Sequence, residues 1–171
     1  SSRRFGNYDI FYKIFDGSSW TNDRKLTQDT RVDELPSIVE AYGKIWVFWD
    51  SVRGTTNYDI YYKTTLNNEE NWSADTLLTI SSTGDDDWDP ATTRAKDGRI
   101  WLAWTRKDDI FYSIYDNNSW LTPTQITGGG NDNWHPAIMQ AKDDSIWVAY
   151  DSGKTDPYVP TDVFYKTYSS C

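Results

Sequence analysis

Three segments of this chain enter a proline in the same way: Asp33-Glu34-Leu35-Pro36, Asp87-Trp88-Asp89-Pro90 and Asn133-Trp134-His135-Pro136. The second and third place an indole among carboxylates, a carboxamide and the chain's only imidazole. That combination suits sugar binding. An indole face covers apolar C–H groups while Asp and Asn accept hydrogen bonds from hydroxyls. The candidate ligand residues are therefore Trp88, Trp134, Asp87, Asp89, Asp132 and His135, with Arg106 and Lys107 nearby. Each also has a plainer reading. The Asp or Asn three before the proline occurs in all three segments, which fits a side chain capping the turn into a strand. Trp88 and Trp134 fit packing between neighbouring structural units.

The run Asp85-Asp86-Asp87-Trp88-Asp89 has the oxygens that Ca²⁺ wants but lacks the spacing and glycine of an EF-hand loop, so it reads as a solvated acidic turn. The chain has one cysteine, Cys171, and one histidine. Zinc sites built from several Cys and His are thereby excluded. No metal and no cofactor is expected. The net charge of −9 argues against a nucleic-acid partner, whose phosphates require a basic surface. No apolar run approaches the length of a membrane span.

These residues sit in a repeating frame. Asp9-Ile10-Phe11-Tyr12, Asp59-Ile60-Tyr61-Tyr62, Asp109-Ile110-Phe111-Tyr112 and the altered Asp162-Val163-Phe164-Tyr165 recur with a period of about fifty residues. A Trp and then a Leu/Ile-Thr pair follow the first three: Trp20 with Leu26-Thr27, Trp72 with Leu78-Thr79, Trp120 with Ile126-Thr127. After the proline comes Ile-Trp-apolar-x-aromatic, as in Ile45-Trp46-Val47-Phe48-Trp49.

Each unit reads as four strands: A (36–41, 90–95, 136–141), B (45–50, 100–105, 146–151), C (9–15, 59–65, 109–115, 162–168) and D (20–27, 72–79, 120–127). The strand residues are aromatic and β-branched, the joins are Gly, Asn, Asp and Ser, and no segment keeps a helical period. Strand B has no polar face, which implies cover on both sides. Four-stranded antiparallel sheets covered on both sides are the blades of a β-propeller, favoured over a β-solenoid, whose repeats are usually shorter. The expected organisation is one all-β propeller segment, 1–171. It comprises a partial blade 1–27, blades 36–79 and 90–127, and a partial blade 136–168. About three repeats do not close a ring, so a second chain or further repeats are expected to complete it.

From each proline to the next Asp-Ile/Val is 23, 19 and 26 residues (36 to 59, 90 to 109, 136 to 162). The B–C loops absorb this variation, and they share a face with the D–A loops that hold the candidate residues. A rigid scaffold with variable loops on one face is a usual arrangement for binding. Asn67-Asn68-Glu69-Glu70 lengthens the second repeat on its C–D side.

Together these motifs resemble the sialidase/BNR superfamily of propellers, whose Asp-box has the form Ser-x-Asp-x-Gly-x-x-Trp. Asp16-Gly17-Ser18-Ser19-Trp20 keeps Gly-x-x-Trp with the Asp shifted by one, and Asp116-Asn117-Asn118-Ser119-Trp120 replaces the Gly. Sialidases carry an arginine triad, a Tyr/Glu nucleophile pair and an Asp acid. No set of arginines here matches the triad, so the resemblance implies no catalytic residue. A weaker resemblance, in repeat length and Trp content, is to propeller lectins of the tachylectin type. The expected function is non-catalytic carbohydrate binding by a secreted or cell-surface protein. The alternatives are a fragment of a sialidase-like glycoside hydrolase, or a structural repeat segment of a surface array or filament.

Overall fold

The computed structural model describes residues 8–53, 56–66, 71–79, 84–153 and 162–169. Asn67-Asn68-Glu69-Glu70 and Cys171 lie outside them. The described residues contain strands and turns and no helix. We number the strands in chain order. β1 (Phe11–Tyr12) pairs with β2 (Arg24–Lys25). β3 (Asp33–Ala41), β4 (Lys44–Ser51), β5 (Asp59–Leu66) and β6 (Thr76–Leu77) form a sheet in sequence order. β7 (Asp87–Arg94), β8 (Ile100–Arg106) and β9 (Asp109–Asp116) form the next, with β10 (Ser119–Trp120) and β11 (Thr124–Gln125) both on the edge of β9. β12 (Asp132–Gln140), β13 (Ile146–Gly153) and β14 (Asp162–Tyr168) form the last. All pairings are antiparallel, and all but that of β11 with β9 join consecutive strands, so these sheets are β-propeller blades, the two end ones having two and three strands among the described residues.

The repeated residues explain how each blade is stitched. The hydroxyls of Thr27, Thr79 and Thr127 accept the N–H of Ile10, Ile60 and Ile110 at 3.1, 2.8 and 2.7 Å. This bond ties strand D to the start of strand C where the ladder has ended. A second stitch joins neighbouring blades: the N–H of Asp33, Asp87 and Asn133 donates to the carbonyls of Tyr8, Tyr58 and Asp108. The inner strands then meet side by side, with Ser37 and Thr92 hydroxyls 2.8 Å apart between β3 and β7.

Strand A differs from expectation. It begins three residues before the proline, at Asp33, Asp87 and Asp132/Asn133, and the proline sits in an irregularity of the ladder rather than at the strand's start. A bulge leaves a residue unpaired, so proline's missing N–H costs no ladder bond there. Strand D is shorter than expected, because it is the outer edge and Pro123 interrupts it between β10 and β11.

The core lies between blades. Ala41, Trp46, Phe48 and Ile60 of one sheet pack against Ile100, Leu102 and Trp104 of the next. β4 and β8 are buried on both faces nearly throughout, while β13 alternates buried with partly exposed positions. Trp72 leans on Tyr12 (ring centroids 5.5 Å apart) and Trp120 on Phe48 (5.8 Å), each an indole reaching back to the preceding blade. At the turn before β2, Asp16 Oδ1 accepts the N–H groups of Ser18 and Ser19, both at 2.8 Å. Those bonds hold its carboxyl down at about 2.

Candidate functional site at the inner strand ends

The ladder slips at the same place in three blades: between Glu34 and Ser37, Trp88 and Ala91, Trp134 and Ala137. In each slip the residue before the proline takes a left-handed backbone, with φ of 49° at Leu35, 55° at Asp89 and 51° at His135. An L-residue there costs roughly 1–2 kcal/mol, so packing must hold it. Bulges re-aim side chains. Here they bring Glu34 and Leu35, Trp88 and Asp89, and Trp134 and His135 around one cleft of about 320 Å³, closed further by Asp50 and Tyr58.

One wall is aromatic. Trp88 and Trp134 stack on each other with centroids 5.0 Å apart and planes 20° apart. Tyr58 meets Trp88 edge-on at 5.9 Å. Both indoles are half-buried, so they brace two blades and also face the cleft.

The other walls are acidic. Asp50 is the last residue but one of the apolar strand β4, is only 2% exposed, and its Oδ1 has no hydrogen-bond partner. Burial pushes its carboxyl up to about 8, and the charges of Asp89 and Glu34 push the same way. It is therefore protonated at neutral pH. Burial also raises Asp89, an effect opposed by His135. The Tyr58 phenol is raised by burial and then by Glu34, whose Oε1 lies 3.5 Å from the phenolic oxygen. His135 Nδ1 is 2.9 Å from Asp151 Oδ1, and its Nε2 is 3.8 Å from Asp89 Oδ2.

Of the residues singled out from sequence, Trp88, Trp134, Asp89 and His135 line this cleft. Asp87 and Arg106 lie behind it, bound to each other. Asp87 is fully buried and accepts Trp104 Nε1 at 2.8 Å and Arg106 Nε and Nη2 at 2.7 and 2.9 Å. Asp33 repeats this arrangement, accepting Trp49 Nε1 at 3.0 Å and Arg53 Nη2 on both oxygens at 2.7 Å. Each guanidinium lies over aromatic rings, Arg53 over Tyr61 at 5.0 Å and Arg106 over Phe111 at 5.1 Å. In the third blade Tyr150 replaces the Trp, Ser152 stands opposite in the ladder, and the acid is the neutral Asn133. Its amide donates to the carbonyls of Asp108 and Asn131. Asp132 stands at the start of β12, outside the cleft lining, and Lys107 forms the tight turn from β8 to β9 with φ 58°. Sequence reasoning missed Asp50, Glu34, Tyr58 and Asp151. The available signal was a polar residue ending each apolar strand B: Asp50, Thr105 and Asp151. Among the described residues, no three His, Cys, Asp or Glu side chains come together as a metal-binding group.

No protein-family model and no curated protein sequence matches the chain. Solved structures do match. An endo-arabinase from Bacteroides thetaiotaomicron superposes with a TM-score of 0.65 at 14% identity, over 95% of this chain and 68% of that one. The NanB sialidase of Streptococcus pneumoniae gives 0.63 at 17% identity, over 93% of this chain and 27% of that one. A protein of unknown function from Dyadobacter fermentans gives 0.68 at 12% identity, over 82% of this chain and 52% of that one. The chain thus has a sialidase-like β-propeller fold, and it spans 52% of the Dyadobacter protein and 35% of the Hadza microbial sialidase Hz136. Identities this low speak to the fold alone.

Proposed function

We propose that this chain is a carbohydrate-binding propeller segment of a secreted or cell-surface protein, with the saccharide in the cleft at the inner strand ends. The observation that carries it is the stacked pair Trp88 and Trp134 facing the same cleft as Glu34, Asp50 and Asp89. An aromatic platform beside convergent acceptors is what a sugar's two faces require. The fold is shared with solved structures named as sialidases and arabinanases, which adds support. A glycan array on the wild-type chain and on Trp134→Ala tests the reading. Binding that disappears in the variant supports it, and binding indifferent to both indoles refutes the location.

A second reading is favoured by one observation. Asp50 is held protonated while Glu34 and Asp89 lie close enough to influence it. Carboxyls of unequal proton affinity in one cleft can act as acid and base on a glycosidic bond. In that reading Asp50 donates the proton to the leaving oxygen. New reducing ends released by the chain, lost in Asp50→Asn with binding retained, would establish it. Sialosides are poor candidates, because among the described residues no arginine lines the cleft to receive their carboxylate.

The same proposal includes a cover for the outer faces. Val163 is 79% exposed in β14, whereas the equivalent Ile60 and Ile110 are fully buried, and Trp20 is 64% exposed. A second chain or further blades would bury them. Light scattering that shows a monodisperse monomer, together with no binding of a hydrophobic dye, would count against this.

A further inference from the structure

The charge around the cleft is one-sided. Glu34 and Asp89 line it beside the protonated Asp50, and among the described residues neither Lys nor Arg does. Arg53 and Arg106 are turned away onto Asp33 and Asp87. The one basic side chain in the lining, His135, already faces Asp151 and Asp89. Asp50 Oδ1 is a buried acceptor without a donor, and such a group is costly unless something supplies the hydrogen bond. The aromatic wall points to the same need, because the faces of Trp88, Trp134 and Tyr58 attract a cation. A bare metal ion is a poor fit, since among the described residues no three of these side chains converge closely enough to hold one. An ammonium on a larger ligand is a better one. It carries three donors, spreads its contacts over separated carboxyls, and leaves its carrier to lie along the indoles.

We infer that the saccharide taken by this cleft carries a free amino group. Its ammonium is directed at Glu34 and Asp89 and donates to the unpartnered Oδ1 of the protonated Asp50 between them, and its ring lies against Trp88 and Trp134. This inference rests on the carbohydrate-binding reading and narrows its substrate class to amino sugars. It also predicts that acidic sugars are rejected, since their carboxylate would meet Glu34 and Asp89 while His135 is already engaged by Asp151 and Asp89.

The test is calorimetric titration of the whole chain with glucosamine oligomers, with the N-acetylated oligomers of equal length, and with choline, at mildly acidic pH and low salt. The expected result is binding of the free-amine oligomer about tenfold or more tighter than its acetylated counterpart. That preference weakens as salt is added. Glu34→Gln should reduce the preference, because it removes one of the carboxylates that face the ammonium. Asp89→Asn serves the same purpose if Glu34→Gln does not fold. Equal or better binding of the acetylated oligomer overturns the amine inference and leaves carbohydrate binding standing. No binding by either oligomer overturns both. Choline binding as tightly as the free-amine oligomer shows an ammonium site without sugar recognition and overturns the assignment to amino sugars.

Discussion

Trp88 lies on Trp134 across the junction of two blades, 5.0 Å between ring centroids and 20° between planes. The two residues occupy the same position in consecutive repeats, one before the left-handed residue of each bulge. Their contact is therefore a product of the bulges, which bring both indoles to one cleft. A stacked pair contributes about 0.5–1.5 kcal/mol beyond its buried area. A double-mutant cycle in urea with Trp88→Ala, Trp134→Ala and the double variant should return a coupling in that range. Additive effects would mean that each indole is held by its own blade alone.

The acid behind the cleft makes a sharper demand. Asp33 and Asp87 are fully buried and each neutralises an arginine while accepting an indole N–H. Removing one partner of such a pair leaves a charge without compensation and costs about 3–5 kcal/mol. Asn133 holds the same place as a neutral amide that donates to two carbonyls and, at 3.3 Å, to Asp109 Oδ1, and the loss of those bonds costs about 1–3 kcal/mol. Asp87→Ala should therefore lower the urea midpoint clearly more than Asn133→Ala. Equal losses would show that Arg106 finds another partner or water.

The row of blades was legible because its signals are local and repeated. An apolar strand B announces cover on both faces, and β4 and β8 have it. A repeated Thr marks the acceptor for the Ile N–H that starts each strand C. The arginine clamp was not legible, because its two cations come from different registers. Arg106 stands directly opposite Asp87 in the ladder, while Arg53 reaches Asp33 from two residues beyond Ser51. Two arginines at unequal spacing look unrelated in sequence. The cleft was half legible. Trp88, Asp89, Trp134 and His135 carry their chemistry in residue type and share one motif. Asp50 does not. Its unusual character comes from burial and from the charges of Glu34 and Asp89, which other strands deliver through bulges.

That character gives Asp50 a pH signature. Its carboxyl is raised from 3.8 to about 8 by burial first, then by Asp89 and Glu34, with Tyr58 as a further neighbour facing the same cleft. Below pH of about 4 both folded and unfolded chains hold this proton, and the group leaves stability unchanged. Between about 4 and 8 the unfolded chain has released it and the folded chain has not. The folded state then binds more protons, so stability falls as pH rises through this window and levels off above it. At about 1.4 kcal/mol per pKa unit the total loss is on the order of several kcal/mol. Asp50→Asn keeps the shape and cannot titrate. Its unfolding free energy should match the wild type near the acid end of the window and exceed it increasingly toward pH 8. Glu34→Gln should end the fall at a lower pH and make its total smaller, because one of the charges that raises Asp50 is gone. Urea unfolding of the three proteins at several pH values is the measurement. Parallel curves for wild type and Asp50→Asn would mean that this carboxyl titrates normally, and the buried, protonated acid at the centre of the cleft would have to be abandoned.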